Sequence, residues 1–154
     1  RRREPWAESV FAKGIVPRAV IPMCGMLQVS DWQRFTRRRP LSSFLTDRLQ
    51  ETAEAYLGHD ASIHGESAEL ADPLLLLEQG LPTERPLPPM FAGVGTADPL
   101  LDDTRRLARA LDRRRVPHEA RYYPGEIHAF HAFVFRQAAR RCWEDQFAFI
   151  DRYL

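Results

Sequence analysis

Two residues of this chain, Asp98 and His128, have the types and spacing that acid–base chemistry requires. Each follows a run that predicts a β-strand, residues 90–94 before the aspartate and residues 118–123 before the histidine. A helical pattern begins near Leu101, so the order strand, helix, strand predicts two parallel strands. Side chains that follow neighbouring parallel strands meet at the carboxyl edge of the sheet. A buried carboxylate there can orient an imidazole and stabilise its protonated form.

Both residues also have ordinary structural interpretations. An aspartate directly after a strand is favoured in turns and at helix N-caps, and a lone histidine in a loop is more often structural or merely exposed. Asp102 and Asp103 compete for the capping role at the helix start, and we expect Asp102 to be the cap, which leaves Asp98 for another role. His131 is a rival to His128 as the base.

Length and composition predict one globular domain. The chain has 154 residues, of which 44% are hydrophobic and 28% charged, as in folded rather than disordered chains. The formal net charge of +1 gives no overall preference for nucleic acid, and arginine clusters interleaved with acids favour solvated helix faces. Cys24 and Cys142 lack metal-ligand spacing, so we expect free thiols in a reducing, cytoplasmic compartment. No apolar run approaches the roughly 20 residues of a membrane span.

Further patterns suggest how the rest of the chain surrounds this edge. An apolar run at residues 19–26 predicts another strand, although Pro22 cannot donate a ladder hydrogen bond. Spacings of three and four predict helices over residues 41–57 and 133–154. The predicted fold class is therefore α/β, with a parallel sheet of about three strands flanked by helices. Residues 28–80 are expected to form a helical, cap-like insertion.

The two loops together resemble the C-terminal half of α/β-hydrolase-fold esterases of the hormone-sensitive-lipase-like family. In that family one strand leads to Asp-Pro-Leu-x-Asp-[Asp/Glu], which residues 98–103 match as Asp-Pro-Leu-Leu-Asp-Asp. The next strand leads to Tyr-Pro-Gly-x-x-His-Gly-Phe, which residues 123–130 match as Tyr-Pro-Gly-Glu-Ile-His-Ala-Phe. The resemblance implies that Asp98 is the triad acid and His128 the general base, with no cofactor and no metal. One departure is Ala129, where the family usually has glycine.

The nucleophile of that family is missing from the sequence. Neither Gly-x-Ser-x-Gly nor the His-Gly-Gly-Gly run of the oxyanion hole occurs. Ser67, in Gly65-Glu66-Ser67-Ala68, is a near match without the closing glycine, and we expect an ordinary loop serine there. We therefore interpret residues 1–154 as the C-terminal half of a longer α/β-hydrolase domain, whose serine lies outside this chain.

The leading hypothesis is a serine carboxylesterase or lipase-like hydrolase that acts on small-molecule esters when complete. Alone, the chain is expected to be inactive, because losing one triad member removes most of the rate enhancement. The expected partners are the N-terminal half of the same protein and, as the resemblance implies, a second copy in a homodimer. We expect neither nucleic acid binding nor a membrane span. Two alternatives stay open: a non-catalytic interaction module that keeps the half-fold, and an α/β-hydrolase peptidase related to prolyl oligopeptidases.

Overall fold

The computed structural model describes residues 5–38, 40–58 and 71–153. The near match around Ser67 lies outside these described residues. In chain order, the elements are α1 (Pro5–Ala12), α2 (Arg34–Arg38), α3 (Ser43–Leu57), α4 (Pro73–Glu78), β1 (Met90–Gly95), α5 (Leu101–Arg113), β2 (His118–Tyr123), a 3₁₀ turn (Phe130–Ala132) and α6 (Gln137–Tyr153).

The strand β1 forms the centre of the sheet. All 6 of its residues are buried, as a dense apolar run requires. β2 pairs with β1 in parallel, in a register that runs from Met90 opposite His118 to Gly95 opposite Tyr123. The predicted α/β class is confirmed. So is the prediction that two parallel strands, β1 and β2, are connected by a helix, α5.

The predicted strand at residues 19–26 lies along the other edge of β1 but does not form a continuous ladder. It makes isolated parallel bridges at Val20 and Met23. The N–H of Val20 donates to the carbonyl of Pro89 at 3.0 Å, and the N–H of Cys24 donates to the carbonyl of Gly93 at 2.9 Å. Pro22, between them, has no N–H to donate, which interrupts the ladder. The sheet of the described residues therefore has two strands, and an extended segment takes the place of the third.

Helices cover both faces of the sheet. Successive side chains of β1 point to opposite faces, so they pack against different helices. Met90 and Ala92 belong to a buried cluster with Leu107 and Leu111 of α5. Phe91 points the other way and packs against Phe149 of α6, with ring centroids 5.7 Å apart. The α5–β1–α6 sandwich holds the start of α5 and the loop after β2 at one edge of the sheet.

The predicted helices are present with shifted ends. α3 begins after Ser42, whose hydroxyl accepts a hydrogen bond from the N–H of Leu45, and it ends at Gly58, whose φ is 79°. The terminal helix begins at Gln137 rather than at residue 133. Among the described residues, none of the helices combines the length and hydrophobicity needed to cross a membrane.

Candidate active site

The side chain of Asp98 is held in one orientation by the turn after β1. The residue is buried, with 2% of its surface exposed. Its Oδ1 atom accepts a hydrogen bond from the N–H of Leu100 at 2.8 Å. Its own N–H donates to the carbonyl of Gly95 at 3.1 Å. This local aspartate turn leaves Oδ2 available for a different partner.

The predicted helix cap at Asp102 is wrong. The N-cap residue of α5 is Leu100, and no side chain forms a cap hydrogen bond there. Asp102 instead pairs with Arg38, and with Arg105 at 3.8 Å. Of the acids near the helix start, Asp98 is the one that bonds to the N–H of Leu100. It therefore has a structural contact as well as a free oxygen.

That free oxygen faces His128. Nδ1 of His128 lies 3.1 Å from Oδ2 of Asp98. The Asp98 side chain is fully inaccessible, whereas 49% of the His128 side chain is exposed. The hydrogen bond to Asp98 raises the pKa of His128, and partial burial of the ring opposes this rise. If the Nδ1 proton is donated to the carboxylate, Nε2 is the basic nitrogen.

The loop that carries the histidine crosses the end of β1 in direct contact with it. A Cβ atom on Gly95 would overlap the carbonyl oxygen of Glu126. That carbonyl accepts a hydrogen bond from the N–H of Ala97 at 3.0 Å. The hydroxyl of Thr96 accepts another from the N–H of Gly125 at 2.8 Å. Glycine at position 95 thus allows the aspartate turn and the histidine loop to be joined.

The rival base, His131, has different surroundings. Its Nδ1 atom is buried and has no hydrogen-bond partner among the described residues. Burial lowers the pKa of His131, and the nearby His128 lowers it further. Its carbonyl accepts a hydrogen bond from the indole of Trp143 at 3.0 Å. The structure therefore brings His128, rather than His131, to Asp98.

Ala129, which follows the histidine, has the left-handed conformation in which glycine is common. Its φ is 57° and its ψ is 22°. An L-residue with a Cβ atom reaches this region at a cost of about 1 kcal/mol. The departure from the resembled motif is thus accommodated by backbone strain next to the site.

A third side chain, that of Cys24, lies beside this pair, although its residue type and spacing predicted only a free thiol. Ligand-capable atoms of Cys24, Asp98 and His128 all lie within 4.8 Å of one another. The cysteine is 5% exposed and has a φ of 48°. Burial, together with the charge of Asp98, raises the pKa of its thiol to about 12. Its position near the end of the apolar run at residues 19–26 was the signal that could have placed it at this edge.

A second buried carboxylate, Asp103, fixes the segment that follows Cys24. Its Oδ2 atom accepts hydrogen bonds from the N–H of Leu27 at 2.8 Å and from the guanidinium of Arg34 at 2.6 Å. Asp103 is 0% exposed. Since buried charges need such partners, Asp103 is a structural acid that connects α5 to this segment.

Comparisons with known proteins agree with the fold of this chain. A family model described as alpha/beta hydrolase fold matches residues 6–132. A hormone-sensitive lipase from a metagenome library is 20% identical with a TM-score of 0.70, over 97% of this chain and 48% of that one. A mutant of the esterase E40 is 20% identical with a TM-score of 0.70, over 94% of this chain and 47% of that one. An esterase from the bacterial hormone-sensitive lipase family is 23% identical with a TM-score of 0.57, over 82% and 40%. The chain thus spans less than half the length of these structures.

Proposed function

This chain belongs to the alpha/beta hydrolase fold family, and from that premise we propose that the complete protein is a carboxylic ester hydrolase with a Ser-His-Asp triad. The observation that carries the proposal is the 3.1 Å contact between Nδ1 of His128 and the buried Oδ2 of Asp98. Similarity in fold to esterases and a lipase supports a small-molecule ester as the substrate. In this proposal His128 is the general base and Asp98 the acid that orients it.

The two residues have distinct parts in the proposed reaction. A serine outside this chain attacks the ester carbonyl while His128 accepts its proton at Nε2. His128 then returns the proton to the leaving alcohol, and water releases the acyl group from the serine with the same base. Asp98 holds the Nδ1–H tautomer and stabilises the imidazolium, in keeping with the raised pKa of His128.

The rest of the complete enzyme follows from the same proposal. In this proposal residues 1–154 are the C-terminal half of the hydrolase domain, and about residues 28–80 are a cap-like segment, of which the structure describes residues 28–38, 40–58 and 71–80. The N-terminal half of the same protein supplies the serine and the oxyanion donors. A homodimer stays a prediction.

A fluorophosphonate probe, which reacts with activated serines, tests the proposal. We expect no labelling of the 154-residue chain alone. A longer protein that adds the residues encoded directly upstream should be labelled on one serine and should hydrolyse p-nitrophenyl butyrate. Labelling of a serine within the 154 residues would contradict the proposed location of the nucleophile.

The remaining outcomes separate the alternatives. A longer protein that cleaves peptides faster than esters would favour an α/β-hydrolase peptidase. A longer protein that is folded but neither labelled nor active would favour a non-catalytic interaction module. Sizing of the isolated chain adds a check, because a stable and monodisperse monomer supports a self-sufficient module.

A further inference from the structure

The cluster of Cys24, Asp98 and His128 includes a thiol that the proposed proton transfer does not use. We propose that these three side chains form a binding site for one thiophilic divalent cation, with Zn²⁺ as the cation that suits them best. Thiolate, imidazole and carboxylate are the three side-chain ligand types that Zn²⁺ takes in proteins. The site is independent of the proposed function, because the ion binds whether or not the histidine is a base.

The geometry brings three different segments to one point. Cys24 ends the extended segment beside β1, Asp98 follows β1, and His128 follows β2. Their ligand-capable atoms lie within 4.8 Å of one another, and two of them are 3.1 Å apart. Ligands at about 2.0–2.3 Å from one tetrahedral ion stand about 3–4 Å from each other. Only small side-chain movements are needed for the three atoms to share an ion.

Charge also favours a cation at this point. Asp98 is 2% exposed, and among the described residues its ion pair is with His128, a group that is charged only when protonated. A buried carboxylate is costly unless it is paired, so this position favours a cation. A divalent ion would balance both the carboxylate and a thiolate from Cys24.

Access to the site is provided by the histidine. Its side chain is 49% exposed, whereas the carboxylate beneath it is inaccessible. The other two ligands, Cys24 and Asp98, are buried, so the imidazole is the ligand that solvent reaches. Three protein ligands with one open position are typical of accessible zinc sites.

Binding requires two proton movements. The thiol proton of Cys24 passes to solvent when the sulfur coordinates the ion. The Nδ1 lone pair of His128 replaces its hydrogen bond to Asp98, and the imidazole proton then resides on Nε2. If His128 is the base of the proposed function, that tautomer cannot accept a proton from the nucleophile, and the ion inhibits the enzyme.

A Cd²⁺ titration of the 154-residue chain under a phosphine reductant tests the proposal, because thiolate-to-cadmium charge transfer absorbs in the ultraviolet. We expect a saturable band with one ion per chain. The matched control is Cys142→Ser, which removes the other free buried cysteine and should leave the band unchanged. Cys24→Ser should abolish it, and His128→Gln should weaken Cd²⁺ binding by more than about tenfold.

A stability measurement covers the case in which Cys24→Ser fails to fold. Cd²⁺ and Zn²⁺ should raise the Tm of the wild-type chain and of Cys142→Ser, because the ion binds the folded state. Asp98→Asn should lose most of this rise. A band that persists in a folded Cys24→Ser would overturn the site. So would an unsaturable wild-type band, or unchanged Cd²⁺ affinity in both His128→Gln and Asp98→Asn.

Discussion

Two buried aspartates, Asp98 and Asp103, lie close together in sequence but have opposite kinds of partner. The carboxylate of Asp103 binds a backbone N–H of Leu27 at 2.8 Å and the guanidinium of Arg34 at 2.6 Å. The carboxylate of Asp98 faces the imidazole of His128 at 3.1 Å. Arginine and backbone amides are donors at every physiological pH, whereas an imidazole changes its charge near neutrality.

The difference in partners distinguishes a carboxylate that stabilises the fold, Asp103, from one that is suited to catalysis, Asp98. A structural carboxylate has permanent partners that stay in place when the protein is folded. A carboxylate suited to catalysis has a partner that can gain and lose a proton, and that partner reaches solvent. The exposed side-chain fractions agree, at 15% for Arg34 and 49% for His128. Substitutions at the two aspartates should therefore change different measurements.

The largest expected effect is on activity, at Asp98. In the longer, complete protein, Asp98→Asn should lower kcat for p-nitrophenyl butyrate by about 10⁴-fold, because the wrong histidine tautomer is then favoured. The free energy of unfolding should change little, since Asn can still accept from the N–H of Leu100. The control, His131→Gln, should keep kcat within about tenfold. Equal losses in both variants would contradict the assignment of His128 as the base.

The next effect is on stability, at Asp103. Asp103→Asn should lower the free energy of unfolding by about 4 kcal/mol, because Arg34 is left partly buried without its counter-ion. Urea denaturation of the longer, complete protein measures this loss. Asp102→Asn, a more exposed acid in the same helix turn, should cost less than about 1 kcal/mol. Equal stability of Asp103→Asn and Asp102→Asn would contradict the structural role assigned to Asp103.

A third substitution tests how the aspartate turn and the histidine loop are joined. Gly95→Ala should cost about 3 kcal/mol, because the new methyl group would overlap the backbone of Glu126, which cannot rotate away. Gly125→Ala is the control. Its φ is 72° with open space around it, so only the strain of about 1 kcal/mol is expected. Chemical denaturation that finds the reverse order would show that the loop is not packed as described.

The smallest expected effect is on stability, at the ion pair of Glu78 and Arg106, which lies next to Asp103. Two hydrogen bonds of 2.9 Å and 2.7 Å join them, and they lower the pKa of Glu78 below its ordinary 4.5. The pair should contribute about 1 kcal/mol to the free energy of unfolding at pH values above the ordinary pKa of Glu78. This contribution should be lost as the pH falls through the lower pKa of the folded state. The difference in unfolding free energy between wild type and Glu78→Gln should therefore shrink in acid. A difference that stays constant from neutral pH to pH of about 3 would exclude this ion pair as its source.

Much of the fold could be predicted because it is encoded in local patterns. The apolar run of β1 and the period of α5 each lie within one short stretch, and so do the acid and histidine that follow the strands. The interruption by Pro22 was also visible, since a missing N–H depends on one residue.

The rest depends on contacts between distant residues. The N–H of Leu27 and the carboxylate of Asp103 are separated by 76 positions, and no local pattern distinguishes this acid from a helix cap. Cys24 reaches Asp98 only because the extended segment lies beside β1. Polar partners across such distances are set by packing of the whole domain, so they could not be read from spacing.

The close contact between Gly95 and Glu126 also affects how fast a nearby backbone amide exchanges its proton with solvent. The amide proton of Ala97 is bonded to the Glu126 carbonyl, so it can exchange with deuterium only when the histidine loop lifts from β1. Its exchange rate thus reports how much of the time the His128 loop is separated from the Asp98 turn. In this molecule the stability of the contact between the two loops of a candidate catalytic pair can be followed through a single backbone proton.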